Sequence, residues 1–218
     1  MNMQQARFNM IEQQIRPWNV LDLDVLEILE QIPRENFVAA GQEVLAYVDT
    51  ELPLPCGQFM LSPRVQARLF HDAKIQAHET VLEIGTGSGY LTALLASKAK
   101  EVVSLELHQE IADLAKANLS QAGVSNVEVV HADAVQYKSP KGPFDVIILT
   151  GSVASVPSFI FDQLKVLGRV IAIVGHEPMM RATVITRTGE ASFHTAQPWD
   201  TMAPRLRNFP APSRFQFW

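Results

Sequence analysis

VLEIGTGSGY, residues 81–90, decides how the rest of the chain is read. A short apolar run, Val81-Leu82, leads through Glu83 and Ile84 into a glycine-rich turn, Gly85-Thr86-Gly87-Ser88-Gly89, which opens onto LTALLA and a helical pattern. The glycines alternate as GxGxG, where a dinucleotide fingerprint has GxGxxG. Glycine suits a turn whose backbone must touch a ligand or take positive φ. A second apolar run, EVVSLE (101–106), ends in Glu106. In an open α/β sheet a residue there faces the crevice beyond the strand ends, where a carboxylate can accept from both hydroxyls of a ribose.

Three readings of this segment compete: a plain tight connection, a nicotinamide dinucleotide site, and an S-adenosylmethionine site. Glu83, just ahead of the turn, favours the last, because it would lie near a sulfonium and a methionine amino group and would repel a pyrophosphate. HADA (131–134) follows the third apolar run, VEVV (127–130), and puts Asp133 where it can accept from an adenine amino group. Four features in this order point to S-adenosylmethionine, with S-adenosylhomocysteine as product, and to methyl transfer.

The bulk composition limits the alternatives. With 218 residues, 47% hydrophobic and 19% charged, the chain is long enough for a substantial core in one domain. A net charge of −5 does not support a broad nucleic-acid footprint. The last eighteen residues do concentrate Arg205, Arg207 and Arg214 with Phe209, Phe215, Phe217 and Trp218, either a local binding strip or aromatics folded back on the body. Cys56 is the single cysteine, so neither a disulfide framework nor a cysteine zinc cluster is expected. The N-terminal stretch lacks the apolar core of a signal peptide, and no run is long enough to span a membrane, which points to a cytoplasmic protein without membrane partners.

Residues 2–16 read as an amphipathic helix stopped by Pro17, and 22–32 as a second, ended by Pro33. Residues 35–60 read as irregular, and Ser62-Pro63 as an N-cap opening a helix to about 72. Strands are expected near 80–84, 101–106, 126–131, 144–149 and 168–174, with helices near 89–98, 109–122 and 157–165 between them. Two further alternating runs, 182–187 and 191–196, suggest a hairpin on the sheet edge. The expected fold is therefore α/β: a doubly wound, Rossmann-like, mostly parallel seven-stranded sheet with an N-terminal helical extension. Residues 1–76 would form the helical, substrate-side segment and 77–218 the cofactor-binding core of one compact unit.

With these segments in place the chain resembles the protein-L-isoaspartyl (D-aspartyl) O-methyltransferases. PRENFV (33–38) and LAYVDTELPLPCGQ (45–58) carry the specific part of the likeness. VLEIGTGSGYLTALLA (81–96), VVSLE (102–106), PFDVIILTGSVASVP (143–157) and QLKVLGRVIAIVG (163–175) are shared more broadly among class I methyltransferases. The resemblance implies methylation of the free carboxylate of isoaspartyl or D-aspartyl residues in aged proteins and peptides. The ester then closes to a succinimide whose hydrolysis returns part of the backbone to normal aspartate. It also implies a cofactor site built from Gln58, Phe59, Met60, Glu83, Gly85, Thr86, Gly87, Ser88, Gly89, Tyr90, Glu106, Leu107, His108, Asp133, Ala134 and Thr150, and a substrate side from Tyr47, Leu61, Ser62 and Thr150, with Asp49 in the same lobe.

The chain departs from the family in one telling place. Where the family reads GQTIS, then any residue and proline, with the serine touching the substrate carboxylate, this chain has Gly57-Gln58-Phe59-Met60-Leu61-Ser62-Pro63. Leucine takes the serine position, and Ser62 lies one residue later. Ser62 is the candidate catalytic hydroxyl; its other reading is the helix N-cap. The family's Gly-Asp-Gly appears as Ala132-Asp133-Ala134, and the paired glycine before the fifth strand as Leu167-Gly168.

No acid-base dyad is evident, and methylating a carboxylate needs none, because the nucleophile is already an anion at neutral pH. Amino-directed DNA methyltransferases carry Asp/Asn-Pro-Pro-Tyr/Phe after the fourth strand, whereas this chain has Thr150-Gly151-Ser152, which can donate to a carboxylate. Asp145 reads as a structural strand acid rather than a metal ligand, and no metal is expected. His71, His78, His131, His176 and His194 lack ligand spacing. Thr201 and Arg205 are candidates to close over the cofactor edge. Two alternatives stay open: a methyltransferase with a different acceptor, and a cofactor-binding module without turnover.

Overall fold

The computed structural model describes residues 2–211, so the calls on Arg214, Phe215, Phe217 and Trp218 lie outside the described residues. The glycine-rich turn joins strand β3 (Thr80–Ile84) to helix α4 (Tyr90–Lys98), at the centre of a seven-stranded sheet. Before it, in chain order, come α1 (Met3–Met10), α2 (Leu23–Gln31), the short strands β1 (Leu52–Leu54) and β2 (Gln58–Met60), and α3 (Pro63–Ala73). After it come β4 (Glu101–Glu106), α5 (Gln109–Gln121), β5 (Val127–His131), β6 (Phe144–Val153), α6 (Ser158–Phe161), β7 (Leu164–His176), β8 (Met179–Arg187) and β9 (Phe193–Asp200).

The sheet order is β5-β4-β3-β6-β7-β8-β9, parallel as far as β7 and antiparallel in the final two pairings. Strands run outward from β3 to β4 and β5, then the chain returns to place β6 on the other side. That reversal creates a switch point at the carboxyl ends of β3, β4 and β6, where doubly wound sheets hold ligands. The expected fold and its edge hairpin are therefore both present. Pro198 lies on β9, the edge strand, where its missing N–H costs least.

Strand alternation assigns the two faces. Val81, Val102, Val146 and Ile148 pack with α3, α4 and the N-terminal helices, while Leu82, Ile84, Val103, Leu105, Ile147 and Leu149 pack with Phe144 and Ile160. Both faces are covered, which is why these strands read as continuous apolar runs. At the amino ends, Asp145 accepts from Thr80 N (2.8 Å), from the Thr80 hydroxyl and from Lys165 Nζ (2.8 Å), tying β3, β6 and β7 together. Burial pushes this carboxyl up, but those donors more than offset it and hold it below the usual range. Helix α5 ends in a Schellman closure: Gly123 N donates to Ser120 O and Val124 N to Leu119 O.

Three sequence expectations need correction. The first helix is α-helical only through Met10; a wider π turn (Ile11–Ile15) and a 3-10 turn (Arg16–Trp18) follow as the chain meets Pro17. Residues 35–60 are not wholly irregular, since β1 and β2 pair across Pro55-Cys56-Gly57, with Cys56 and Gly57 both at positive φ. The helix expected over 157–165 is a single turn, because Leu164 is drawn into the sheet opposite Phe144 and Phe144 N donates to Gln163 O (2.7 Å). Tertiary pairing outweighs helical propensity there.

A register irregularity in β7 explains Leu167-Gly168. A Cβ on Gly168 would sit 2.8 Å from Asp145 O, so that glycine is required. Leu167 takes φ 68°, a left-handed conformation that costs an L residue about 1–2 kcal/mol, with its side chain exposed. Leu167→Gly is therefore expected to stabilise the protein by about 1 kcal/mol, a rise of roughly 2–4 °C in Tm. A thermal melt showing no gain would mean that the strain is not there.

Candidate active site

Strand β4 delivers Glu106 to the switch point, and its carboxylate clasps the glycine loop. Gly87 N donates to Oε2 (3.0 Å), and His108 N donates to Oε1 (3.1 Å). Gly85 N and Thr86 N donate to Leu105 O (2.8 and 3.3 Å), and Gly89 N donates to Thr86 O (3.1 Å). Four of the loop's backbone donors are thus consumed within the protein. A pyrophosphate cradle needs such groups free, whereas the Glu106 oxygens each keep a lone pair for a hydroxyl donor. This favours a ribose diol without a diphosphate.

Close approach forces the first of the loop's glycines, and the second borders the cavity at positive φ. A Cβ on Gly85 would collide with Thr150 Oγ1, which donates to Ile84 O (2.8 Å) and to Gly85 O. A Cβ on Gly87 would meet only Leu54 Cδ1, at 3.5 Å, and would project into the cavity that Gly87 lines.

Of the residues singled out from sequence, Gln58, Phe59, Leu61, Gly85, Gly87, Glu106, Leu107, His108, Asp133, Ala134 and Thr150 line one cavity. His108 Nε2 is buried with no partner among the described residues. Met60, Thr86, Ser88, Gly89 and Tyr90 fall outside that lining. Met60 and Tyr90 are core side chains, Tyr90 packing on Phe37 at 5.5 Å. The Thr86 hydroxyl meets Ser104 Oγ at 2.6 Å, and Ser88 is buried with its carbonyl held by Asn118 Nδ2.

Glu83 is placed differently from its expected position near a sulfonium. Strand alternation turns it inward beside Ser104, its partner across β4, and Ser104 Oγ and Thr92 Oγ1 both donate to Oε2 (2.6 and 2.5 Å). Complete burial pushes its carboxyl up to about 8, against the pull of these two hydroxyl donors. Tyr47 also lies away from the cavity. Its hydroxyl donates to Glu35 and accepts from Arg7 Nε (2.8 Å), as a buried phenol must find partners near at hand. Ser62 occupies the N-cap position of α3 but makes no capping bond; it lines a second, wider cleft beside Asp49 and Thr201.

The outer wall comes from the C-terminal stretch. Residues 204–207 and Phe209 line the cavity, held by Ser152, whose N–H donates to Pro204 O (2.8 Å) and whose carbonyl accepts from Leu206 N (2.9 Å). Arg205, Arg207 and Phe209, which the sequence marks as a basic and aromatic strip, are all there, and Phe209 folds back on Phe159 with ring centroids 5.8 Å apart. Asn208 carries no such signal, and its Nδ2 donates to Asp133 Oδ2 at 2.8 Å. The other Asp133 oxygen accepts from Val135 N (2.9 Å). The space is about 100 Å³, below the roughly 300 Å³ at which small-molecule pockets begin, and this segment forms one of its walls. Any ligand donor reaching Asp133 Oδ2 would compete with Asn208. Among the described residues no cluster of acids, histidines and cysteine forms a metal site, and no helix is long and apolar enough to cross a membrane.

Comparison with known proteins adds to this geometry. The model of the protein-L-isoaspartate(D-aspartate) O-methyltransferase family matches residues 5–202. A protein-L-isoaspartate O-methyltransferase of Methanoculleus marisnigri is 43% identical over 169 residues, 78% of this chain and 77% of that protein. One from Koribacter versatilis is 38% identical over 181 residues, 83% of this chain and 81% of that protein. A Plasmodium falciparum structure described as a protein-L-isoaspartate O-methyltransferase, in complex with S-adenosyl-L-homocysteine, superposes with a TM-score of 0.79 over 95% of this chain and 99% of that one, at 20% identity. At that identity the likeness concerns the fold.

The site predicts distinct outcomes in calorimetry with S-adenosylhomocysteine. Glu106→Ala should weaken binding by about 1.5–3 kcal/mol, the scale of hydrogen bonds to a charged group. Gly87→Asn, whose side chain tolerates left-handed φ, should fold and lose binding. Asn208→Ala should bind severalfold more tightly. Unchanged affinity in the first two variants would place the ligand elsewhere.

Proposed function

The chain belongs to the protein-L-isoaspartate(D-aspartate) O-methyltransferase family, and from that premise we propose that it methylates the free carboxylate of isoaspartyl or D-aspartyl residues in proteins and peptides, with S-adenosylmethionine as donor. The observation that carries the cofactor half is the Glu106 clasp, which leaves carboxylate lone pairs and no free phosphate cradle at the switch point. Glu106 is the ribose ligand. Asp133 with Ala134 flanks the base, and Gly85, Gly87 and Thr150 define the floor.

Held by Glu106 and Asp133, S-adenosylmethionine would supply an electrophilic methyl group to a substrate carboxylate oxygen, with the carbon–sulfur electron pair returning to sulfur. An anionic nucleophile requires no general base from the chain. The chain's work is to strip water from that anion and hold it in line. Leu54, Phe59 and Leu61 give the cavity an apolar wall suited to the first task. Leu61 cannot donate to the anion, while the Ser62 hydroxyl, free of a capping bond, faces the adjoining cleft.

Radiolabelled methyl transfer to an isoaspartyl peptide beside its normal aspartyl twin tests this reading, with transfer expected to the former only. Ser62→Ala should lower activity, by roughly tenfold for one lost hydrogen bond to a charged group. Leu61→Ser should change it little. Labelling of neither peptide, with cofactor binding intact, would transfer the assignment to another acceptor; a large gain from Leu61→Ser with no effect of Ser62→Ala would mark decay from the family's usual site.

A further inference from the structure

The cleft that Ser62 lines is larger than the glycine-loop cavity, about 1120 Å³, and it adjoins that cavity. Leu61 lines one space and Ser62 the other, and Pro204 lines both. A polypeptide segment laid in the cleft therefore meets the cofactor cavity at the Leu61–Ser62 bond. Among the charged residues of the cleft wall, Asp49, Glu51, Glu177 and Asp200 outnumber Arg64 and Arg181, so an anionic substrate group needs a specific cation to seat it.

Arg64, in the first turn of α3, is placed to be that cation. Its guanidinium carbon lies 3.6 Å from the centroid of the Trp18 ring. Nη1 reaches Asp49 Oδ2 at 3.3 Å, and Nε is buried with no partner among the described residues. Stacking and one ion pair fix the plane of the group while most of its five N–H donors stay uncommitted. Of the other arginines bordering these spaces, Arg181 pairs with Asp200 at 3.0 Å and Arg205 donates to Gly175 O at 2.8 Å, while Arg207 borders the cofactor cavity and not the cleft.

We propose that Arg64, assisted by the Ser62 hydroxyl, binds the substrate carboxylate in this chain, in place of the serine that Leu61 has displaced. The inference rests on the isoaspartyl reading of the same site. A charge-assisted guanidinium contact is stronger than a single hydroxyl bond, so it accounts for a chain that keeps the cofactor clasp without the hydroxyl at position 61. It also gives a direction to turnover. Methylation removes the negative charge that Arg64 holds, so the ester product binds more weakly than the substrate.

The test compares an isoaspartyl peptide with its carboxamide analogue, which has the same shape and no charge. KM and kcat for the peptide and Ki for the analogue are measured in wild type, Arg64→Gln, Arg64→Lys and Arg181→Gln, with S-adenosylhomocysteine affinity as control. Wild type should prefer the carboxylate strongly. Arg64→Gln should raise KM at least tenfold and erase the preference, Arg64→Lys should restore part of it, and Arg181→Gln should retain it. Cofactor affinity should stay within about twofold throughout, which separates substrate contact from loss of the Trp18 stack. Retained preference in Arg64→Gln, or its loss in Arg181→Gln alone, overturns the inference while leaving the isoaspartyl reading intact. A wild type that neither binds nor methylates the isoaspartyl peptide overturns both.

Discussion

The carboxylate of Glu106 is the point on which the rest of the site depends. By accepting from Gly87 N and His108 N it holds the glycine loop against the start of α5 and leaves its remaining lone pairs outward. The same contact fixes the kind of ligand. A loop that spends its amides on Leu105 O, Thr86 O and Glu106 has little left for phosphate, whereas a carboxylate at a ribose is matched. The sheet order serves this arrangement, because only the β3/β4/β6 junction brings Gly85, Glu106 and Thr150 to one edge.

A second constraint governs the substrate side. Arg34 is fully buried with no carboxylate partner among the described residues; it donates to Leu61 O (2.8 Å), Ala46 O (2.8 Å) and Gln66 Oε1, and lies 5.3 Å from the Tyr90 ring centroid. Burial lowers its pKa to about 10, so it remains charged at neutral pH. A buried cation satisfied mainly by carbonyls is costly, and here it pins the Leu61 backbone at the boundary between cavity and cleft. The N-terminal segment thus serves as more than a cover for the sheet: it determines where residues 58–64 lie.

Much of this was legible in the residues. The strand–turn–helix at 81–90, the acid at 106 and the edge hairpin follow from local pattern, and the structure has them in those places. Proximity in sequence puts Glu83 beside the loop, but strand alternation turns it toward Ser104 and Thr92. The resemblance implies a substrate-side Tyr47, while its hydroxyl is committed to Glu35 and Arg7. Asn208 and Leu206 carry no periodic signal; only their return to Ser152 and Asp133, more than fifty residues earlier, brings them to the site. Arg64 likewise reads as an ordinary helix-surface arginine until Trp18 and Asp49 are seen around it.

A glycine loop whose amides are spent, closed by the Glu106 carboxylate, suits a nucleoside bearing a sulfonium better than a dinucleotide. The decisive measurement is calorimetric titration of the unmodified protein with S-adenosylhomocysteine and with NADH under one set of conditions. Saturable one-to-one binding of S-adenosylhomocysteine and no measurable heat from NADH are expected. Tighter binding of NADH would contradict this assignment.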